Sequence, residues 1–191
     1  MARPKDTEKR TSINRAALEM IASQGLGGLR MQAVAQFAGV ATGTVYIYYR
    51  GKHDLINQLF LETRQRIALA VQKGYRPEMP FMDGFEQIWR NYLNNLVTRA
   101  EDHKFVQQCL QSAYLTTETL RFNQKIRDPL RDILERGKRE KLVADIPTDV
   151  LAAQITGSLR EIVRIERQGK VIFTPKALHA IFAMAWNSVK R

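Results

Sequence analysis

Four hydroxyl-bearing side chains occupy alternate positions of one short stretch in the first third of the chain. They are Thr42, Thr44, Tyr46 and Tyr48, and they lie near the start of a segment predicted to be helical over about 42–49. When a helix enters the major groove of DNA, such hydroxyl groups can contact base edges and phosphate oxygens. Their types and positions suit a helix that contacts DNA.

Side chains suited to catalysis or metal binding are scattered instead of clustered. His53, His103 and His179 fall on different predicted helices, and no metal-ligand spacing such as His-x-x-x-His occurs. Cys109 is the single cysteine, so an internal disulfide and a cysteine-rich zinc site are both excluded. We expect no enzymatic activity, no metal and no cofactor, and an enzyme on a helical scaffold is the less favoured alternative.

The net charge of +11 is unevenly distributed along the 191 residues. Residues 1–52 hold eight basic and three acidic side chains, which concentrates positive charge near the N-terminus. This distribution suits a polyanion partner, although a basic solvated surface would look the same. No apolar run approaches the roughly 20 residues that span a bilayer, and no secretory signal is recognisable, so a cytoplasmic protein without a membrane partner is expected.

Helical periodicity runs through almost the whole chain and predicts an all-α fold of about nine helices. Pro129 is expected to kink or break a helix predicted over about 117–140, and Thr174-Pro175 suits the start of the last helix. We predict two domains: a three-helix N-terminal domain over 1–52 and a larger helical domain over 53–191.

Residues 31–50 carry the strongest local pattern, two short helices around a glycine turn. Gly39 is expected to supply the positive φ of a tight turn, and Ala35 is small where the second helix crosses the first. Val34, Val40 and Val45 are expected to fill the wedge between the helices. This pattern is typical of a helix-turn-helix.

These motifs resemble the TetR family of transcriptional regulators. The resemblance covers about residues 8–60 and rests on Ala35…Ala38-Gly39-Val40, Gly43-Thr44-Val45-Tyr46…Tyr48-Tyr49 and Gly51-Lys52-His53-Asp54-Leu55. It implies a sequence-specific DNA-binding regulator, most often a repressor that a small ligand releases from its operator. An activator or a ligand-independent regulator is the alternative within the same class.

The resemblance also implies which residues contact DNA. Tyr46 and Lys52 would hold the backbone, and the full predicted set is Arg30, Gln32, Thr42, Thr44, Tyr46, Ile47, Tyr48 and Lys52. Two positions depart from the family pattern: Leu29-Arg30 lacks the usual hydroxyl cap, and Ala41 stands where serine is common, so Thr42 is a candidate cap. A basic N-terminal arm with Arg3, Lys5, Lys9 and Arg10 is either a further DNA contact or a solvated tail.

The larger domain is predicted to enclose a small-molecule effector of unknown identity between the helices expected over 53–168. Aromatic side chains with a few polar tips suit such a cavity, although plain core packing explains the same stripes. The predicted wall residues are Phe85, Trp89, Tyr92, Phe105, Cys109, Tyr114 and Phe122.

The last two helices, expected over about 149–168 and 175–189, are predicted to form a homodimer. Their apolar stripes could pair across a two-fold axis, so that two recognition helices read a palindromic operator; the alternative is that both stripes pack inside the monomer. The predicted interface residues are Leu151, Ile155, Leu159, Ile162, Leu178, Ile181, Phe182 and Trp186.

Overall fold

The computed structural model describes residues 4–191, with side chains from residue 6 onward, and over that range the fold is all-α as predicted. Outside the helices, the described residues include one isolated antiparallel bridge, between Val143 and Lys190. The described helices are α1 (Pro4–Gly28), α2 (Met31–Ala38), α3 (Thr42–Tyr48), α4 (Lys52–Gln72), α5 (Phe81–Thr98), α6 (Ala100–Leu110), α7 (Thr117–Lys125), α8 (Pro129–Arg139), α9 (Thr148–Arg167) and α10 (Pro175–Asn187).

The described chain has one helix more than expected because the segment around Pro129 is a full break. Ile126 is extended, with φ −69° and ψ 120°, and ends α7. The side chain of Asp128 then accepts hydrogen bonds from the backbone N–H groups of Leu130 and Arg131, and Pro129 occupies the first turn of α8. A proline there loses no intrahelical hydrogen bond, so a new helix starts more easily than a kinked one continues.

The start of α10 was predicted correctly from two residues. The Thr174 hydroxyl accepts a hydrogen bond from the backbone N–H of Ala177 at 3.2 Å, and Pro175 follows it. Gly25, with φ +71°, interrupts α1. Both outcomes follow from local rules of helix capping and backbone sterics.

The chain divides into two compact units. The first contains the predicted helix-turn-helix of residues 31–50, which we call the reading head. This unit runs up to Arg66 and also includes Ala100–Ile126. Within it α1 packs against both α2 and α6, and α2 packs against α3. Its core includes fully buried side chains from four helices, among them Ile13, Ala17, Val34, Val45, Leu55 and Phe60.

The second unit comprises Ile67–Arg99 and Arg127–Arg191. Here α5 packs against α8 and α9, and its aromatic side chains meet those of α10. Gly137 allows the close approach at α8, because a Cβ there would lie 2.4 Å from Val143 Cγ2 and 2.7 Å from Phe81 Cζ. The C-terminal residues complete this unit: the backbone N–H of Ala144 donates to Val189 O, and that of Arg191 donates to Leu142 O.

The predicted boundary between a DNA-binding domain over 1–52 and a larger helical domain over 53–191 stays a prediction. The two compact units follow packing instead, and the chain passes between them at three points: inside α4 between Arg66 and Ile67, between Arg99 and Ala100, and between Ile126 and Arg127. None of the helices described within residues 4–191 combines the length and apolarity that crossing a bilayer requires.

Gly39 should be the most sensitive position of the reading head to a small substitution. It adopts φ 66° and ψ 33°, and a Cβ there would meet nothing within 4 Å, so the cost of Gly39→Ala comes from the backbone alone. We expect a loss of about 1–2 kcal/mol in the free energy of unfolding, measured by urea denaturation.

Gly43→Ala is the matched control. Gly43 lies in α3, its Cβ would also meet nothing within 4 Å, and its φ is not in the left-handed region. Alanine favours helix there and should raise stability by roughly 0.5–1 kcal/mol. Equal effects of the two substitutions would contradict the assignment of a left-handed turn to Gly39.

Candidate nucleic-acid interface

The helix-turn-helix is assembled on a small apolar wedge. Val34 and Val45 are fully buried between α2 and α3, and Ala35 is 1% exposed where the two helices cross. Gly39 ends α2 in the left-handed conformation, and the next N–H, that of Val40, donates to Ala35 O at 3.0 Å. The turn therefore fixes the direction of α3 relative to α2.

The predicted DNA contacts differ in how accessible they are. On α3, Ile47 is 78% exposed and Tyr46 is 52% exposed, while Thr42 and Thr44 are half-buried. Arg30 and Gln32, at the start of α2, are exposed. An exposed apolar side chain such as Ile47 on a recognition helix is suited to contact a thymine methyl group.

Neither helix of the motif is capped by a side chain. Arg30 precedes α2 and Ala41 precedes α3, both in extended conformation and both without a side-chain hydrogen bond to the helix. The suggestion that Thr42 caps α3 is wrong, because Thr42 is the first helical residue. The missing hydroxyl cap before α2 was noted from sequence, and the structure agrees.

The hydroxyl of Tyr48 has an intramolecular partner. It donates a hydrogen bond to the carboxylate of Asp6 in α1, and this bond raises the pKa of the phenol. A contact from this hydroxyl to a base would have to replace the bond to Asp6. Tyr48 stays a predicted DNA contact, with its ring more available than its hydroxyl.

Lys52 also has partners within the first unit. Its ammonium donates to the backbone carbonyl of Gly27 at 2.7 Å, and it lies 5.1 Å from the ring centroid of Tyr114. The same ring packs against His53, with centroids 5.0 Å apart. Gly27 O and Tyr114 therefore hold the charge of Lys52 at the N-terminus of α4, directly after the helix-turn-helix.

A polar network joins the end of α3 to α1 and α4. Tyr49 is 1% exposed, as expected of a core residue, and its hydroxyl donates to Asn14 Oδ1 at 2.5 Å. Asn14 Nδ2 donates to Glu62 Oε2 at 2.8 Å, and Arg10 forms an ion pair with the same carboxylate. Burial raises the pKa of the Tyr49 phenol, so it stays a neutral donor.

The structure describes two of the four basic side chains of the N-terminal arm, those of Lys9 and Arg10. The side chains of Arg3 and Lys5 lie outside the described residues. Lys9 is exposed, whereas the guanidinium of Arg10 is engaged by Glu62 and Tyr49. Arg10 therefore has a structural role in positioning α1, and of the two arm side chains that the structure describes, Lys9 is the one exposed to solvent.

Three polar side chains of α4 bind the segments that follow in the same unit. Buried Asn57 donates to Tyr114 O at 2.9 Å and accepts from the backbone N–H of Thr116 at 3.0 Å. Arg66 forms a bidentate salt bridge with Asp102 of α6, and both N–O distances are 3.1 Å. Arg64 Nε donates to Asn123 of α7 at 3.0 Å. Thus α4 is tied to α6, α7 and the loop between them.

The predicted wall residues of an effector cavity are divided between the two units. Phe85 and Trp89 are fully buried in the second unit, and Tyr92 is half-buried there. Phe105, Cys109, Tyr114 and Phe122 belong to the first unit, where Phe105 and Cys109 are buried and Phe122 is 49% exposed. Burial raises the pKa of the Cys109 thiol to about 12, which suits an inert core residue.

The predicted dimer residues also fall into two groups. The side chains of Leu151, Ile155, Leu159 and Phe182 are buried within their own protomer. They therefore cannot present a surface to a second copy without rearrangement. The remaining four are half-buried: Ile162, Leu178, Ile181 and Trp186.

Some residues of this unit were not singled out from sequence. Asn57, Glu62 and Arg66 lie on α4 among inward-facing apolar residues, and polar residues at such positions are a signal that could have marked them. Phe37, on α2, is 66% exposed, and nothing in its local pattern distinguishes it from a core aromatic. The hydrogen-bond partners of Asn57, Glu62 and Arg66 lie far away in sequence, which explains why these three residues were not singled out.

Two short helices, α2 and α3, are joined by a turn at Gly39, and α3 has exposed side chains that can contact DNA. Together with the supporting helices α1 and α4, this arrangement defines a helix-turn-helix DNA-binding protein. The family described as "Bacterial regulatory proteins, tetR family" matches residues 13–59. The family described as "Tetracyclin repressor-like, C-terminal domain" matches residues 60–191. The chain belongs to the TetR family and is a DNA-binding transcriptional regulator.

Individual relatives are distant in sequence and similar in fold. An uncharacterized HTH-type transcriptional regulator of Haemophilus influenzae is 21% identical over 189 residues, which are 97% of each chain. A fatty acid metabolism regulator protein of Bacillus subtilis is 26% identical over 119 residues, covering 62% of this chain and 59% of that protein.

Solved structures give the same result for the fold. A TetR family transcription regulator from Marinobacter aquaeolei VT8 superposes with a TM-score of 0.90 at 23% identity, covering 99% of both chains. A TetR family protein from Vibrio parahaemolyticus gives a TM-score of 0.83 at 27% identity, covering 96% of this chain and 99% of its own. The named relatives are regulators, which agrees with the scattered titratable groups noted in the sequence.

Proposed function

We propose that the chain is a homodimeric repressor that leaves its operator when a small ligand binds its C-terminal region. The observation that carries this proposal is the set of hydrogen bonds from α4 to α6, α7 and the intervening loop. Lys52 begins α4 immediately after the helix-turn-helix, so a ligand that displaces α6 or α7 also displaces the base of the reading head. Such an element, biased by two sites, is what allosteric control requires.

The proposed DNA surface comprises the exposed side of α3 and the start of α2 and α4. Tyr46 and Ile47 are accessible for the major groove, and Arg30 and Lys52 supply positive charge beside it. Thr42, Thr44, Gln32 and the ring of Tyr48 complete the predicted set. Phosphate contacts would provide most of the affinity, and α3 would provide the sequence preference.

Replacing Lys52 tests the backbone contact. Lys52→Ala should weaken binding to all DNA sequences similarly and reduce the slope of log K against log salt by about 1, because one phosphate contact is lost. The slope is measured by fluorescence anisotropy on operator DNA over a range of salt concentrations. Lys176→Ala is the matched control, since Lys176 is an exposed lysine of α10. A Lys52→Ala slope equal to that of the control would exclude the phosphate contact.

Asn57 tests the connection between ligand and operator. Asn57→Ala leaves Thr116 N–H and Tyr114 O without their partner, a cost of about 1–3 kcal/mol in local stability. In a reporter strain carrying the natural operator, we expect this variant still to repress but to respond less to inducing compounds found by screening. Reporter output against inducer concentration is the measurement.

Gln58→Ala is the control for Asn57→Ala, because its amide bonds only Asp54, one turn earlier in the same helix. It should respond to inducer as the unchanged protein does. If no compound raises the reporter output, or if Asn57→Ala and Gln58→Ala respond alike to inducer, the proposal that the ligand acts through the hydrogen bonds of Asn57 is wrong.

The proposed dimer uses the outer faces of α9 and α10. Half-buried Ile162, Leu178 and Ile181 could contribute, together with Met184, which is 68% exposed on α10. A two-fold pairing of these helices would present two recognition helices to a palindromic operator. TetR family regulators act as such dimers, which supports the proposal.

Met184→Glu should dissociate the dimer, because it would bury an unpaired charge between the protomers. We expect the dimer to weaken by about tenfold or more, measured by sedimentation velocity over a micromolar concentration series. Leu69→Glu places the same charge at another exposed apolar position, 64% exposed on α4, and should leave the dimer intact. A dimer unaffected by Met184→Glu would rule out this face of α10.

A further inference from the structure

The indole N–H of Trp89 is a buried donor without an acceptor. Trp89 is fully buried on α5, and its Nε1 has no hydrogen-bond partner. Buried polar groups in folded proteins are almost always hydrogen-bonded, so each exception needs a physical explanation. Among the side chains that the structure describes, one other buried nitrogen is unpaired, Nη1 of Arg136.

Arg136 has a simple explanation that does not apply to Trp89. Its guanidinium has five donors, and Nε already donates to Glu140 at 2.6 Å while the side chain remains 19% exposed. One unpaired N–H among five donors leaves the guanidinium with its hydrogen bond to Glu140. Trp89 has a single donor, and that donor is unsatisfied.

The aromatic ring that packs against Trp89 offers no acceptor oxygen. Phe182 lies against Trp89 edge-on, with centroids 5.3 Å apart and planes at 63°. Phe182 in turn packs on Phe85, which contacts Trp186 at 5.5 Å. The face of an aromatic ring is only a weak acceptor, so this apolar cluster leaves the N–H available to a stronger one.

The interior of the second unit also restricts the charge of an acceptor. Among its described residues, the polar side chains classed as buried are Asn95 and Thr148, and none is a lysine, arginine or histidine. Arg136, whose Nη1 is buried in this unit, already pairs with Glu140, so a carboxylate or phosphate buried beside Trp89 would lose its hydration without an unpaired cation to compensate for it, which is costly. A carbonyl oxygen accepts a hydrogen bond without carrying that cost.

We propose that Trp89 Nε1–H is the donor that recognises the effector, and that the effector is a neutral, largely apolar molecule bearing a carbonyl group, such as a ketone, an ester, a thioester or a lactone. This inference rests on the proposed ligand-released regulation and adds the chemistry of the ligand. Because Trp89 is fully buried, a molecule that reaches its N–H is enclosed by the protein, with the ring of Phe182 against its apolar part.

Octan-2-one and octanoate are suitable probes, since they share a chain length and differ in the charge of the oxygen-bearing group. The chain has two tryptophans, so the protein labelled with ¹⁵N-tryptophan gives two indole N–H resonances, assigned with Trp186→Phe. We expect octan-2-one to move the Trp89 resonance downfield, as a new hydrogen bond does, and to bind at least about tenfold more tightly than octanoate.

Two variants remove the donor. Trp89→Phe should weaken binding of octan-2-one by about five- to tenfold, the effect of one neutral hydrogen bond, while Trp186→Phe should leave it nearly unchanged. If Trp89→Phe fails to fold, β-(3-benzothienyl)alanine at position 89 in the Trp186→Phe background keeps the shape and replaces the N–H with sulfur. The same loss of affinity is expected there.

The inference is overturned if octan-2-one does not bind, if the Trp89 resonance stays in place, if octanoate binds as tightly, or if removing the N–H leaves affinity unchanged. Operator affinity, measured separately by fluorescence anisotropy, distinguishes this failure from failure of the proposed function. Binding at Trp89 without any change in operator affinity would refute release and leave the site standing. A compound that lowers operator affinity without moving the Trp89 resonance would support ligand-induced release and refute the site at Trp89.

Discussion

Polar side chains on the inner surface of α4 must all find hydrogen-bond partners, and the first unit is organised around this requirement. Asn57, Glu62 and Arg66 each bind a different segment: the loop before α7, the α1 helix and α6. An unpaired group of this kind would cost about 1–3 kcal/mol, a large share of the net stability of a small unit. The helix-turn-helix, α6 and α7 therefore belong to one compact unit.

This organisation explains how a short helix can be presented to DNA with a defined direction. The turn at Gly39 sets α3 against α2, Tyr49 ties the residue after α3 to α1, and Lys52 ties the start of α4 to the carbonyl of Gly27. The apolar wedge supplies most of the burial, and the polar contacts select one geometry from those that the wedge would allow. The side chains left exposed, above all Tyr46 and Ile47, are then free for DNA.

The second unit uses a different principle. Its core is built from aromatic rings of α5 and α10 and aliphatic side chains of α8 and α9, with few buried polar groups among the described residues. In such surroundings a single unsatisfied N–H is conspicuous, whereas in the polar first unit it would have many possible partners. The two units therefore differ in how they treat buried polar groups: Asn57 of α4 is fully paired, whereas the N–H of Trp89 has no acceptor.

Local features of this protein could be predicted from its sequence alone. The left-handed turn at Gly39, the break at Pro129 and the capped start of α10 at Thr174 depend on sterics and hydrogen bonds within a few residues, so the residue types decide them. The all-α fold follows from helical periodicity in the same way, and the family motifs within residues 31–55 indicate the DNA-binding class.

Only the tertiary structure decided which side of each amphipathic helix is enclosed and which polar groups meet. An apolar stripe looks the same whether it packs inside a protomer or against a second copy, and Leu151 and Phe182, expected at a dimer interface, proved to be buried in their own protomer. Tyr48 finds Asp6 at a separation of 42 residues, and Asn57 finds Tyr114 at 57. Such pairings depend on how whole helices pack, which no local pattern in the chain encodes.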